Sequence, residues 1–419
     1  MRLLLDTRPL RESPAFRRLW VGSGLSAIGT QLTLFAAALQ AYQQTGSSLA
    51  VGGVGLAAAA PAVVFGLLGG SIVDSTDRRR LVLWCSTIQA VLSGALAAQA
   101  FAGGRQLWIL YALMAGQSLS GAINGPARRT FLPALLPATL VPAGAALNVL
   151  TFHTSVIAGP ALAGLIAATG GLRVCYLVDA LSYAGALYGV ARLPAMRPKT
   201  ATRAGFRSTA AGLTFIRRSR VLTGVFAADL NATVLGMPFA LFPAINAERF
   251  GGAEQTLGLL LSAPAVGGLL GSTLSGPVGH VTRQGRAMLA AGALWGLALT
   301  AFALAHPLWL ALTFLILAGA ADTTAVVFRI AMVQSATPDA YRGRVGATEY
   351  VVGAACPQLG NFRAGALAQL TTNTTSALTG GLSVLAGATL IALHNKDFRQ
   401  YTTADSPHQT ELETVPTQP

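Results

Sequence analysis

Charge is what this sequence has least of. Only 11% of its residues are Asp, Glu, Lys or Arg, against about 25% in an ordinary globular chain. The 29 basic and 15 acidic side chains cannot cover the water-facing surface of a soluble protein of 419 residues. With 53% hydrophobic residues and a mean hydropathy of +0.56, the solvent for most of the chain is lipid. Catalytic signatures are missing too. There is no Walker loop, no nucleophile elbow and no cluster of His or Cys, so neither an enzyme nor an ATPase is expected, and no metal or cofactor. The three cysteines, Cys85, Cys175 and Cys356, lie in separate apolar runs without metal spacing and read as packing residues. The N-terminus carries Arg2, Asp6, Arg8, Arg11 and Glu12 with no cleavage site after its first apolar run. That run is therefore expected to stay as a helix and not to be removed as a secretory signal.

What charge there is follows a pattern. The net +14 invites a nucleic-acid reading, but the basic residues form no continuous face. They sit between apolar runs: Arg8 to Arg18, Arg78 to Arg80, Arg128 and Arg129, Arg192 to Arg220, Arg283 and Arg286, Arg342 and Arg344, Lys396 and Arg399. Every second gap is basic, while the others hold little more than Arg105, Arg173 and Arg249. This is the positive-inside signature of a multi-pass membrane protein with both termini in the cytoplasm. The bilayer is the expected partner and nucleic acid is not.

At about 20 apolar residues per span, twelve spans use about 240 residues. The expected spans are 19–43, 49–73, 81–101, 107–124, 143–169 and 172–193, then 221–245, 257–278, 287–305, 308–333, 345–370 and 377–393. The domain order is a cytoplasmic segment 1–18, a six-helix bundle 19–193, a connector 194–220, a second bundle 221–393 and a polar, disordered cytoplasmic tail 394–419. The connector carries eight Lys or Arg counted from Arg192 to Arg220. In it Phe206, Leu213, Phe215 and Ile216 form either the greasy side of an interfacial helix or part of a solvated linker. The halves repeat. Ala60-Pro61-Ala62-Val63 with Gly66-Leu67-Leu68-Gly69 recurs as Ala263-Pro264-Ala265-Val266 with Gly268-Leu269-Leu270-Gly271, and nearly the same offset relates Arg128 to Arg329 and Pro137 to Pro338. The 47 glycines, many inside apolar runs, permit close helix approach and sliding.

Several motifs carry a family resemblance. Gly70, Asp74, Arg78, Arg79 and Arg80 lie between the second and third spans, and the segment resembles the cytoplasmic loop motif of the major facilitator superfamily. Ser75 and Asp77 stand where that family carries a basic residue and Gly. The resemblance implies a gating latch, with Gly70 for close approach and Asp74 for pairing or capping. The second-half loop, Gly276 to Arg286, lacks the Asp and carries His280, so the latch is expected to be asymmetric. In the fifth span Ser155, Gly159, Pro160, Ala163 and Gly164 are similar in spacing to the family's antiporter motif; the alternative is generic small-residue packing. Asn124 to Pro133, Arg329 to Gln334, Pro338 to Arg344, Ser13 to Arg17 and Asp397 to Arg399 resemble the branch containing the enterobactin (siderophore) exporter and macrolide efflux proteins. The resemblance implies an all-α membrane fold of twelve helices in two pseudo-symmetric six-helix bundles. It also implies proton-driven export of siderophores or amphiphilic drugs from a bacterial cytoplasmic membrane.

An ionisable residue inside lipid costs about 3 kcal/mol or more, so each needs a reason. Asp229 and Asp322 fall in the seventh and tenth spans, which line the cavity in the resembling fold. They are the candidates for carrying protons; the alternative is a static ion pair. Arg329 is two turns beyond Asp322 on the same face, placed to hold an anionic substrate or to neutralise an acid. Gln31, Asn231, Arg329 and Gln334 are the candidate substrate-cavity residues. Asp179 reads as a structural hydrogen-bonding acid, Glu349 as a helix-start cap and His153 as a packing histidine. The first span has no acid like that of some multidrug antiporters, which weighs against a cationic drug. The expected activity is secondary active efflux of a small amphiphile by a monomer. An importer or uniporter of the same fold is the alternative, with a membrane receptor less favoured.

Overall fold

The computed structural model describes residues 6–104, 106–194, 196, 206–273 and 281–402, and the side chains of all of these except 67–75, 206–211 and 339–340. The fold is all-helical, and long helices follow one another through short turns. They are α1 (Pro14–Thr45), α2 (Ser48–Ser75), α3 (Arg78–Phe101), α4 (Leu107–Arg129), α5 (Val141–Gly170) and α6 (Leu172–Ala191). After a connector come α7 (Arg220–Arg249), α8 (Glu254–Thr273), α9 (Gln284–Leu304), α10 (Leu308–Ala336), α11 (Asp339–Leu370) and α12 (Asn373–His394). Among the described residues, 10 helices are long and apolar enough to cross a membrane. The other two, α4 and α11, are as long but carry Asn124, Arg128 and Arg129, and Arg344, Glu349, Asn361 and Arg363.

Helix ends follow local chemistry. Ser13 caps α1, its Oγ accepting from the Phe16 amide at 3.2 Å, and Pro14 occupies the first turn, where its missing N–H costs nothing. Gly46 ends α1 at φ 64°, a conformation that favours glycine. Asp77, standing where the resembling family has Gly, caps α3 by accepting from the Arg80 amide at 3.2 Å. Helices also run past their apolar windows, because backbone hydrogen bonding continues through the headgroup region. Thus α11 begins at Asp339, not at 345.

Two expectations need correcting, for the seventh span and the tail, and the connector takes the helical of its two alternatives. The seventh span is not one continuous helix. Its regular helix ends at Leu230, a π turn covers Asn231–Leu235, and Phe242–Arg249 resumes beyond Pro238, since Pro cannot supply the amide that the preceding turn needs. The groups so freed are met by α11: Asn361 accepts from the Ala240 amide at 3.2 Å and Arg363 donates to the Leu235 carbonyl. The connector contains a helix, Phe206–Arg218, whose Ile216 is buried and whose Phe215 stacks on Tyr341 at 4.4 Å. Its apolar side is therefore spent on α11, leaving Leu213 exposed. The tail does not begin as a disordered chain. Lys396–Gln400 is helical, and Phe398 and Tyr401 are buried in a cluster with Phe328, Met332 and Val345. Two aromatic anchors supply enough buried area to order it.

Backbone contacts divide the chain into two compact units, Met1–Ala204 with Asn246–Ser262, and Gly205–Ile245 with Ala263–Pro419. In the first, α3 packs on α4 and α6; in the second, the repeat-equivalent α9 packs on α10 and α12. Also within the first unit, Gly164 of α5 and Gly258 of α8 let the two backbones touch. A Cβ on Gly164 would lie 2.5 Å from the Glu254 carbonyl oxygen, and one on Gly258 would lie 2.5 Å from that of Pro160.

Candidate functional site

In the second unit, α7, α10 and α11 bring four ionisable side chains together. Asp229 is 7% exposed, and its Oδ1 lies 2.7 Å from an Nη of Arg329. The Nε of the same guanidinium lies 3.7 Å from Glu349 Oε1. Asp322 feels the charges of both Asp229 and Arg329. Among the described residues, Asp229 Oδ2 has no hydrogen-bond partner. Two carboxylates, Asp229 and Glu349, thus share one arginine. Asp229, Asn231 and Asp322 line a cavity of about 20 Å³ together with Val326, Met288 and Val384, room for about one water. Glu349 and Gln334 line a more open cavity of about 510 Å³. The groups therefore run from an open cavity inward: Glu349, Arg329, Asp229, with Asp322 beside the small cavity. Such an arrangement holds the cost of buried charge down through the shared arginine.

The expected capping role of Glu349 is corrected by the helix start. Because α11 begins at Asp339, Glu349 lies in the third turn, beyond the reach of the end dipole, and faces Arg329 instead. Asn231 donates to the Val384 carbonyl at 2.9 Å, which ties the π turn of α7 to α12. Of the four substrate-cavity candidates, Asn231 and Arg329 adjoin the carboxylates and Gln334 lines the open cavity. Gln31 belongs to the first unit, where its Cβ fills the space over Gly159.

The first unit holds a different polar arrangement. Asp179 is 1% exposed, and its Oδ2 accepts from Thr33 at 2.6 Å and from Ser93 at 2.5 Å. Gln117 donates to Ser93 at 2.6 Å and to the Gln89 carbonyl at 3.0 Å. The Gln89 side chain in turn accepts from Asn124 at 2.8 Å. Arg128 donates to Asn124 at 3.1 Å, to Ser23 at 2.8 Å and to Ser86 at 3.1 Å. Hydrogen bonds thus link α1, α3, α4 and α6, with the acid at one end and the base at the other. On α5, Ser155, Gly159, Pro160 and Gly164 are all buried. Ser155 bonds the Phe152 carbonyl at 2.8 Å, and His153 packs edge-on to Phe152. Of the latch residues, Arg79 donates to the Ala191 carbonyl at 2.5 Å and the Arg78 amide to that of Met196 at 3.1 Å. Gly70 and Asp74 fall in the last turns of α2, with side chains outside the described residues, as are residues 274–280 of the second-half loop.

Sequence reading passed over Asn361, Arg363 and two partners of Arg128, Ser23 and Ser86. The signal was available for Arg363: intramembrane bases demand a reason as much as acids do. Gln89, Ser86 and Ser23 carried none, since single polar residues in an apolar run are indistinguishable from packing ones.

Comparison with known proteins is consistent across this frame. A family profile described as transmembrane secretion effector, within the major facilitator group, matches residues 6–416. The enterobactin exporter EntS of Escherichia coli O1:K1 is 25% identical over 401 residues, covering 95% of this chain and 96% of its own, and that of Shigella boydii serotype 18 matches to the same extent. Among solved structures, the nucleoside transporter NupG superposes with a TM-score of 0.71 at 15% identity, over 90% of this chain and 98% of its own. A bacterial homologue of the iron transporter ferroportin gives 0.66 at 18% identity, over 91% and 98%.

Proposed function

The chain belongs to the transmembrane secretion effector family of the major facilitator superfamily, and we propose that it is a proton-coupled exporter of a small amphiphilic molecule, a siderophore, antibiotic or related metabolite. It is a multi-pass membrane transporter and not an enzyme. In the proposed setting it lies in a bacterial cytoplasmic membrane as a monomer, both termini cytoplasmic, with bundles 19–193 and 221–393 rocking about the connector. The reading is supported above all by two carboxylates, Asp229 and Glu349, sharing Arg329 beside two cavities, the smaller of which Asp322 also lines.

In this cycle a proton entering from outside neutralises Asp229 or Asp322, and Arg329 turns to the remaining carboxylates. Deprotonation toward the cytoplasm restores the Asp229 pair. A proton drives transport only if it binds one conformation better than the other, and a shared arginine makes the cost of protonation depend on where the guanidinium sits. Gly70, Asp74, Arg78 and Arg79 serve as the latch, and the small face of α5, from Ser155 to Gly164, as the sliding surface. Gln31, Asn231, Arg329 and Gln334 line the substrate's route.

The test is accumulation of candidate compounds in cells lacking or overexpressing the chain, with and without a protonophore. Lower accumulation that vanishes with the gradient supports export; higher accumulation supports the importer reading. Asp229→Asn and Asp322→Asn are then assayed for uphill transport. Full gradient-dependent activity in both would remove the proton role from these two acids.

A further inference from the structure

Arg128 and Arg329 occupy corresponding places in the repeat, yet their surroundings differ in sign. Arg329 is matched by two carboxylates, Asp229 and Glu349. Arg128 is matched by none: among the described residues the ion pairs are Arg8 with Asp6, Arg220 with Asp397, and Arg329 with Asp229 and Glu349. Its partners are the neutral oxygens of Asn124, Ser23 and Ser86. A guanidinium has five N–H donors, so these three bonds leave two, both on the terminal nitrogens. Two N–H groups on a planar fork match the two oxygens of a carboxylate, sulfonate or phosphate.

The bonds already made look built to aim the fork. Gln89 accepts from the Asn124 amide nitrogen at 2.8 Å, which turns the Asn124 carbonyl oxygen toward Arg128 Nε. Ser23 and Ser86 then hold one terminal nitrogen each from opposite helices, α1 and α3. Arg128 keeps some exposed surface, unlike Asn124 beside it, although its guanidinium is set deep among protein atoms. A residue kept only for its positive-inside charge, such as the neighbouring exposed Arg129, needs no such mounting. The C-terminal end of α4 supplies at most about half a negative charge to it. Arg363, another arginine inside a span with no carboxylate partner among the described residues, is turned to the Leu235 carbonyl at the break in α7.

We propose that Arg128 is the docking point for an anionic group on the transported molecule, a carboxylate or another oxyanion of like geometry. This rests on the transporter reading and narrows its substrate to amphiphiles carrying negative charge. One unit then holds the proton-titrating carboxylates, and the other holds the cation that reads the cargo.

The test is equilibrium binding to the purified full-length protein in nanodiscs, followed by fluorescence without any gradient. The probes are dansylglycine, 11-dansylaminoundecanoic acid and their methyl esters. Wild type is expected to bind the acids at least about tenfold more tightly than the esters. Arg128→Gln brings that ratio close to one while leaving ester affinity unchanged, which also certifies the fold. Arg128→Lys keeps a reduced preference, since an ammonium retains charge without the fork. Arg129→Gln, at the exposed neighbour, keeps the full preference. The proposal is overturned if wild type binds the acids no better than the esters or not at all, if the ratio survives Arg128→Gln, or, should that variant not fold, if Arg128→Lys matches wild type. Because no gradient is present, failure here leaves proton coupling standing. Coupling fails separately, by protonophore-insensitive accumulation.

Discussion

Replacing Arg329 by Gln is the most searching perturbation of the carboxylate cluster. At 2.7 Å and an effective dielectric of about 20, the attraction between Arg329 and Asp229 is about 6 kcal/mol, and that to Glu349 at 3.7 Å is about 4.5 kcal/mol. Desolvating the charges consumes much of this, so the net cost of removing one partner of a buried pair is about 3–5 kcal/mol. Arg329→Gln should therefore destabilise the protein by about that amount, measured by equilibrium unfolding in mixed micelles. Asp229→Asn in the same background should recover most of it, because the double variant leaves no unpaired charge at that contact. A coupling of about 2–4 kcal/mol is expected from the cycle. The difference of about 1.5 kcal/mol between the two attractions also explains how one proton can redirect the guanidinium, since neutralising Asp229 removes far more than that bias. Losses below about 1 kcal/mol for Arg329→Gln, or a double variant equal to the sum of the singles, would refute the shared-arginine account.

Other outcomes follow from contacts elsewhere. Phe215→Ala removes the stack on Tyr341 and should loosen the connector helix, seen as cleavage of residues 206–218 by a protease several-fold faster than in wild type; an unchanged rate would mean that another contact holds it. Asp179→Ala strips the acceptor from Thr33 and Ser93 and should cost about 2–4 kcal/mol. Asp179→Asn should keep gradient-dependent transport within about twofold of wild type per folded molecule, and its loss would assign Asp179 a proton. Gly164→Leu forces α5 from the Glu254 carbonyl and should lower stability by about 1–3 kcal/mol; an unchanged unfolding midpoint would show that the backbone contact is soft.

Membrane residence, helix number and the repeat were legible because they rest on long-range averages: scarce charge, windows of apolar residues, alternating basic gaps. What escaped was local. Pro238 lies in an apolar run that reads as one span, and only its neighbours on α11, Asn361 and Arg363, reveal that the helix is interrupted and its groups re-satisfied. Glu349 was assigned to a helix end because hydropathy marks where lipid begins, while the helix itself begins at Asp339. Asp229 and Asp322 could be singled out from their cost in lipid, but the small cavity they share could not be distinguished from two independent sites until α7 and α10 were packed. The Phe398 anchor shows the same limit, since a five-residue helix carries too few residues for a periodic signal.

The duplication permits a sharper manipulation of Arg128. With the offset 329 − 128 = 201, the acids around Arg329 map onto Ile28 (229 − 201), Gly121 (322 − 201) and Asn148 (349 − 201), none of which is ionisable. The first half has thus kept the base and lost, or never acquired, its counter-charges, and an acid restored there should silence it. Ser23 is the position to use, because its Oγ is 2.8 Å from an Nη of Arg128. Ser23→Asp would set a carboxylate against the guanidinium, an intramolecular partner worth about 6 kcal/mol of attraction at that distance and an effective dielectric of about 20. A carboxylate from solution must also surrender its translational freedom to bind, at a cost of about 4 kcal/mol or more. Ser23→Asp should therefore abolish the preference for dansylated acids over their methyl esters with Arg128 still in place. Folding stability should be unchanged or higher, and ester binding intact. If Ser23→Asp binds the acids as tightly as wild type does, the two remaining N–H groups of Arg128 do not read the cargo's charge.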